Sequence, residues 1–256
     1  GGTSDYYDVI TEEGRLFIRY SEKESQEIKW KQNFSNLEFG DIIELNATAT
    51  SGLPVNYRVM VGANVVEWLD PGVLRIIGAG TIQIEASQDG DATRNAAEPV
   101  VVHFEIPKLE QEIFWDQDFG VPSYGDVLTL TAASNSGLPI HYTVIQGQAD
   151  LHGNLLTLKG AGQVILEARQ LGSSLYESAD SVELTIRVRK ARLRAWPLDI
   201  VRETGQQNPQ FSISYDGFLF EDNVSSINQI PVVSTEADSS SPVGIYPLSL
   251  TGGRAD

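Results

Sequence analysis

The sequence predicts an all-β chain of Ig-like β-sandwich modules in tandem, and we expect an elongated array. Three observations lead to this prediction. Apolar and polar residues alternate with a period of two in many short runs. Turn residues separate these runs at intervals of roughly 8–12 residues, as in sandwich folds. A long segment is also duplicated, and no sustained helical periodicity interrupts the pattern.

The duplication sets the length of the modules. Ser-Gly-Leu-Pro at 51–54 recurs at 136–139, an offset of 136 − 51 = 85 residues. Gly-Ala-Gly at 78–80 recurs at 160–162, an offset of 160 − 78 = 82 residues. The three-residue difference places extra residues of the first copy in the hairpin around Trp68. A unit of this length is typical of a modular repeat with its own small core.

The first 20 residues predict two strands without a module of their own. Two strands alone are marginal in water, so they need a sheet to join. The residues that we expect to take part in such strand complementation are Tyr6, Tyr7, Val9, Leu16, Phe17 and Ile18.

Residues 21–108 and 109–190 form the two predicted Ig-like repeats. In the first, apolar and polar residues alternate through 43–49, and we expect one strand there. Trp30 and Trp115 occupy the same position in the two repeats, on an apolar face, and we expect both in the core. The repeats are joined without a Gly/Ser spacer, which favours semi-rigid joints.

Residues 191–256 differ from the repeats. They contain Asn-Pro at 208–209, Gly-Phe at 217–218 and the heptapeptide Ser-Pro-Val-Gly-Ile-Tyr-Pro at 241–247. By these motifs the segment resembles the MBG-type domains of bacterial secreted and surface proteins. The family usually has Tyr-Gly ahead of the Asn-Pro, whereas this chain has Thr204-Gly205. The two repeats resemble the bacterial Ig-like modules that neighbour such domains, by their Gln-x-Ile-x-Trp opening and Ser-Gly-Leu-Pro turn.

The resemblance implies that residues 1–20 are the terminal strands of one MBG-type module and that 191–256 are an incomplete second one. An incomplete module exposes a sheet edge, which can pair with another strand. We therefore expect head-to-tail self-association through residues 5–20 and 191–256, with a frayed end or a fold-back within one chain as the alternatives.

Composition limits the function classes. The formal net charge is −17, which argues against nucleic acid and against anionic membranes. The absence of cysteine excludes disulfides, thiolate metal sites and cysteine nucleophiles. No apolar run is long enough to insert into a membrane.

No catalytic constellation is evident, and we expect a protein that is not an enzyme. His103, His141 and His152 lie on or beside different predicted elements, without metal-ligand spacing. The acidic turns at 89–91 and 221–223 offer oxygen ligands that could hold Ca²⁺, but neither has the 12-residue calcium-loop pattern, and solvated turns are the simpler reading. No cofactor other than this possible calcium is expected.

The favoured function is a stalk or spacer of an extracellular or bacterial cell-surface protein, with other modules of the array as partners and a possible part in adhesion. The first alternative is a carbohydrate- or protein-binding adhesin module that contacts a host glycan or protein through Trp68 and Asp70. The second is an accessory segment of a large secreted enzyme.

Overall fold

The structure, a computed structural model, describes residues 6–12 and 15–254, with the backbone alone for 6–21. Apart from one 3-10 turn, the described chain forms only strands and loops. The predicted all-β, Ig-like class is therefore confirmed. The chain divides into two compact units. The first runs to Glu112 and includes Leu171–Ala179, and the second consists of Ile113–Gln170 and the residues from Asp180 onward.

The first unit carries ten of the strands that the structure describes. They are β1 (Tyr6–Glu12), β2 (Arg15–Ser21), β3 (Ile28–Lys29), β4 (Ile42–Glu44), β5 (Thr48–Ala49), β6 (Asn56–Val61), β7 (Val66–Asp70), β8 (Val73–Ile76), β9 (Gly80–Ser87) and β10 (Val100–Ile106).

Two three-stranded antiparallel sheets form the sandwich of this unit. One sheet has the order β10-β9-β6 and the other β4-β8-β7, while β3 and β5 form a short additional pair. Alternate residues of both sheets point inward, as the period-two pattern requires. The buried apolar side chains between the sheets are Ile43, Leu45, Val65, Val66, Leu74, Ile76, Ile82, Ile84 and Ile106. Trp30 packs against this cluster, as expected.

The second unit repeats this pairing scheme and adds further strands. They are β11 (Ile113–Phe114), β12 (Val127–Thr129), β13 (Ala133–Ser134), β14 (His141–Gln146), β15 (Ala149–His152), β16 (Leu155–Leu158), β17 (Gly162–Arg169), β18 (Val182–Val188), β19 (Arg194–Pro197), β20 (Ile213–Asp216), β21 (Val232–Ser234) and β22 (Ser249–Thr251).

Its first part is again a sandwich. The sheets have the orders β14-β17-β18 and β12-β16-β15, with β11 and β13 as the short pair. The core side chains are Leu130, Leu156, Leu158, Val164, Leu166, Ile186 and Val188. Trp115 packs against them, which agrees with its expected place in the core.

The prediction of a single strand across 43–49 was wrong. The run divides into β4, which pairs with β8, and β5, which pairs with β3. At the break, hydrogen bonds to a glutamine side chain take the place of the hydrogen bonds between strands. Gln32 Nε2 donates to Glu44 O at 2.8 Å, and Gln32 Oε1 accepts from the Asn46 amide at 3.2 Å. Because these two bonds satisfy the backbone at the break, the chain can leave one sheet and join another.

Beyond the sandwich of the second unit, residues 191–254 form two short antiparallel pairs, β19–β20 and β21–β22. Asn223 caps the 3-10 turn Val224–Ser226 with its side chain. Asn208, one of the residues that carried the resemblance, has a structural role here. Its amide donates to Ala237 O at 2.6 Å and accepts from Arg202 Nε at 2.8 Å.

Candidate functional site

The hairpin of β7 and β8 in the first unit carries both residues expected to contact a ligand. Trp68 is 42% exposed, and it lines a groove together with Asp70. The groove has a volume of about 540 Å³. The remaining residues that line it are Val55, Asn56, Tyr57, Leu69, Pro71 and Gly72. The structure thus brings Trp68 and Asp70 to one surface, beside Asn56, a residue that the sequence alone did not single out.

Tyr57 gives this groove a fixed wall. Its ring packs against the core and lies 5.5 Å from the Trp30 ring, centroid to centroid. The Tyr57 hydroxyl donates to Ala47 O at 3.3 Å. Burial raises the pKa of this phenol, and the bond to Ala47 offsets part of the effect. Gly72 faces the same ring, because a Cβ at Gly72 would lie 3.6 Å from Tyr57 Cε2.

The other residues expected at a site lie in β1 and β2. These strands pair antiparallel, with Tyr7 opposite Tyr20, Val9 opposite Ile18 and Ile10 opposite Phe17. They form a separate two-stranded sheet. The side chains of Tyr6, Tyr7, Val9, Leu16, Phe17 and Ile18 lie outside the described residues.

A second groove opens in residues 199–248, with a volume of about 420 Å³. Its lining includes Val201, Val243 and Ile245, which are 95%, 91% and 102% exposed. Residues 243–245 lie in a bend and loop between β21 and β22, outside the strands of the described residues. The exposure of these apolar side chains was not identified from the sequence.

A third feature of the second unit joins its sandwich to residues 191–254. Tyr124 donates its hydroxyl hydrogen to Asp222 Oδ2 at 2.8 Å. The Lys159 ammonium lies 3.3 Å from the centroid of the Phe220 ring, a cation–π contact. Lys159 also forms a 3.6 Å ion pair with Asp150. Sequence reasoning missed the contacts between Tyr124 and Asp222 and between Lys159 and Phe220, because the partners of each are far apart in the sequence.

Gly125 lies at this junction with φ +96°, a conformation that favours glycine. A Cβ at Gly125 would lie 2.5 Å from Leu219 Cδ1, so the loop that carries Phe220 approaches the Gly125 backbone closely. Phe220 itself has φ 52°, an unusual value for a residue with a side chain. Its ring contacts Lys159 and also Tyr124, whose ring centroid is 5.6 Å away. These two contacts stabilise a strained backbone.

The acidic turns considered for calcium have protein partners. Asp91 Oδ1 accepts from the amides of Thr93 and Arg94 at 2.7 and 2.8 Å, and from Thr93 Oγ1 at 3.0 Å. These hydrogen bonds, those of Thr93 first, hold the pKa of Asp91 below its ordinary value. In the other turn, Asp222 accepts from Tyr124. Within the described parts of the chain, no three His, Asp or Glu side chains cluster as metal ligands would.

The histidines lie apart on different strands, His103 on β10, His141 on β14 and His152 on β15. No helix in the described residues has the length and apolar character needed to cross a bilayer.

Comparison with known proteins identifies one part of the chain. Residues 197–256 match the MBG domain (YGX type) family. The expected MBG-type character of the last segment is thus confirmed over that range. No curated protein matches the chain.

Solved structures give partial likenesses. Human protocadherin-24 EC1-2 superposes with a TM-score of 0.27 at 14% identity, over 64% of this chain and 97% of that one. The intimin C-terminal fragment, in complex with the intimin-binding domain of its translocated receptor, has a TM-score of 0.21 and 18% identity, over 56% of this chain and 53% of that one. Surface layer protein SbsC, domains 1–6, has a TM-score of 0.27 and 11% identity, over 92% of this chain and 38% of that one. Because these TM-scores are low, the fold assignment rests on the strand pairing described above.

Proposed function

We propose that this chain is a non-catalytic segment of an extracellular or bacterial cell-surface protein, in which it acts as a spacer between modules. The observation that carries the proposal is the contact of Tyr124 and Lys159 with Asp222 and Phe220. A spacer must hold each module in a fixed orientation to the next. A hydrogen bond, a cation–π contact and a closely packed backbone do so in the second unit, where only a short joint at 190–191 intervenes.

The chain offers a direct test because it contains no cysteine. Glu183→Cys and Ser239→Cys place two spin labels on exposed positions, one in the sandwich and one beyond β21. We expect a narrow distribution of distances between the labels. Adding Tyr124→Phe and Lys159→Ile should broaden it, since both changes remove a junction contact but leave the core intact. A distribution that is already broad without these changes would contradict the spacer proposal.

Self-association is the second candidate, and the exposed apolar side chains of Val201, Val243 and Ile245 in the second groove favour it. Exposed apolar surface of this kind can pack against another chain. The hairpin of β1 and β2 forms a separate two-stranded sheet, and we propose that it occupies this groove in a second copy of the chain. Such a head-to-tail contact would propagate along the array.

Sedimentation across a range of concentrations tests this contact. Wild-type protein should form larger species as its concentration rises, while Ile245→Lys and deletion of residues 1–21 should each keep it monomeric. Val101→Lys is the matched control, because Val101 is half exposed but lies on β10. Growth that persists in both changed proteins would exclude the pairing.

The adhesin alternative rests on the Trp68 groove, which is where a glycan or protein of a host would bind. The accessory-segment alternative stays a prediction that only the adjoining domains of a longer protein would test.

A further inference from the structure

Trp68 differs from its counterpart in the second sandwich in a way that core packing does not explain. In the β7–β8 ladder Trp68 lies opposite Leu74, and in the β15–β16 ladder Leu151 lies opposite Leu156. Leu151 packs against the core of its sandwich. Trp68 instead leaves 42% of its surface exposed. An exposed tryptophan therefore stands where the equivalent sandwich has a partly buried leucine.

A β-bulge accompanies this difference. The register of β7 and β8 shifts between Trp68 and Asp70, whereas Leu151 and His152 pair with β16 without a shift. A bulge adds an unpaired residue and redirects the neighbouring side chains, and bulges are frequent next to functional sites. The bulge thus makes this hairpin differ from its counterpart at the position where the groove lies.

The groove combines an apolar plate with hydrogen-bonding groups. The indole of Trp68 supplies a flat surface, and Asn56 and Asp70 supply an amide and a carboxylate at the same groove. Ligand sites characteristically pair apolar surface with a few polar groups that fix orientation. A sugar ring is complementary to such a groove. One face of the ring carries C–H groups that can lie on the indole, and its edge carries hydroxyl groups that can bond to the amide and the carboxylate.

We propose that this groove binds a neutral pyranose unit of a glycan, stacked on Trp68, and this deepens the adhesive reading of the proposed function. The sugar's C–H face would contact the indole, while its hydroxyls donate to the Asp70 carboxylate and bond the Asn56 amide. Charge selects against acidic sugars. Asp70 places a carboxylate in the groove, and the chain carries a net charge of −17. Sialylated or sulfated units would be repelled.

Ligand-observed NMR with soluble oligosaccharides tests the proposal on the full chain. The probes are neutral trisaccharides ending in mannose, galactose or N-acetylglucosamine, each beside a sialylated or sulfated analogue. We expect saturable binding of at least one neutral probe, with a Kd of about 1 mM, as suits one stacked ring in an open groove. The acidic analogue should bind at least about tenfold more weakly.

Two tryptophan variants provide the matched comparison. Trp68→Leu installs the residue of the second sandwich and should weaken binding at least about tenfold, or 1.4 kcal/mol. Trp196→Leu removes a tryptophan of almost equal exposure, 43%, and should leave binding unchanged. Asp70→Asn should weaken binding about threefold to tenfold, because a charged acceptor forms the stronger hydrogen bond.

Several results would overturn the proposal. These are no binding of any neutral probe at 10-fold above the expected Kd of about 1 mM, equal binding of acidic probes, or equal losses from Trp68→Leu and Trp196→Leu. The spin-label distances in the second unit do not depend on this groove. A failure here together with narrow distances would therefore remove the glycan site and leave the spacer function standing.

Discussion

The hydroxyl of Tyr124 donates a 2.8 Å hydrogen bond to the carboxylate of Asp222, 98 positions further along the chain. Burial raises the pKa of Tyr124 first of all, and the bond and charge of Asp222 raise it further. The phenol therefore stays protonated, and the hydrogen bond is kept, until the pH rises through this raised pKa. The contact holds the loop at 217–227 against the sandwich across the neutral range.

Replacing Tyr124 with Phe should loosen this loop without unfolding the sandwich. The ring contact with Phe220 is retained, so the change removes only the hydrogen bond, which is worth about 1 kcal/mol at a partly exposed site. Amide hydrogen exchange should rise several-fold at 219–227 and stay unchanged in β17. If exchange at 219–227 is unaltered, the hydrogen bond does not hold the loop.

Gly125 and Gly40 allow the close approach of Leu219 to be tested separately from backbone strain. Both glycines have φ +96°, so alanine is equally strained at either position. A Cβ at Gly125 would collide with Leu219, whereas a Cβ at Gly40 meets nothing within 4 Å. We expect Gly125→Ala to raise exchange at 219–223 and Gly40→Ala to leave it unchanged. Equal effects would show that Leu219 yields easily.

Neighbouring leucines on β16 test the inward face of the second sandwich. Leu156 is fully buried, and Leu155 is 46% exposed. Leu156→Ala should cost about 2–5 kcal/mol because it leaves a cavity, and Leu155→Ala should cost less than about 1 kcal/mol. Urea unfolding followed by tryptophan fluorescence measures both, since Trp115 packs against this core. Similar costs for the two variants would contradict the packing.

The sequence predicted the fold class well because alternation reports directly which face of a strand is buried. Leu74 and Leu156 show this, since each stands at an apolar position of the pattern and is fully buried. The break within 43–49 was missed because its apolar residues continue to alternate while the backbone changes sheets. The contact of Lys159 with Phe220 was missed for another reason. Nothing local to either residue records a partner that only the tertiary fold brings near.

The candidate site was predicted in part, on similar grounds. Trp68 stood out because the first repeat is three residues longer around it, although the strand ladder gives Trp68 a counterpart in Leu151. Asn56 did not, since an asparagine beside a turn has no distinguishing local signal. The exposure of Val243 and Ile245 was equally hidden, because an apolar residue in a sequence reads as buried until its neighbours are known.

Gln117 should stabilise the point at which the second sandwich changes sheets. Its Nε2 donates to Thr129 O at 2.7 Å, and its Oε1 accepts from the Thr131 amide at 3.0 Å. Gln117→Ala leaves both backbone groups to solvent and should cost about 1 kcal/mol. The Thr131 amide should also exchange faster. Gln146→Ala, an exposed control on β14, should change neither quantity. Unchanged exchange at Thr131 would remove the role given to Gln117.

The Asp91 turn should depend on pH in a defined direction. Because its hydrogen bonds lower the pKa of the folded state, the stabilisation is fully present above the ordinary carboxyl pKa. It is lost as the pH falls through the lower folded-state pKa. Carbon-detected NMR of the Asp91 carboxyl should show a midpoint below about 3.9, the ordinary value for aspartate.

The amides of Thr93 and Arg94 should report the same titration, since both donate to Asp91 Oδ1. Asp91→Asn keeps an acceptor oxygen but cannot ionise, so the acid-dependent shift of these amides should disappear in that variant. A midpoint at or above the ordinary value would mean that the turn does not favour the charged carboxylate. The hydrogen bonds would then make no pH-dependent contribution to this loop.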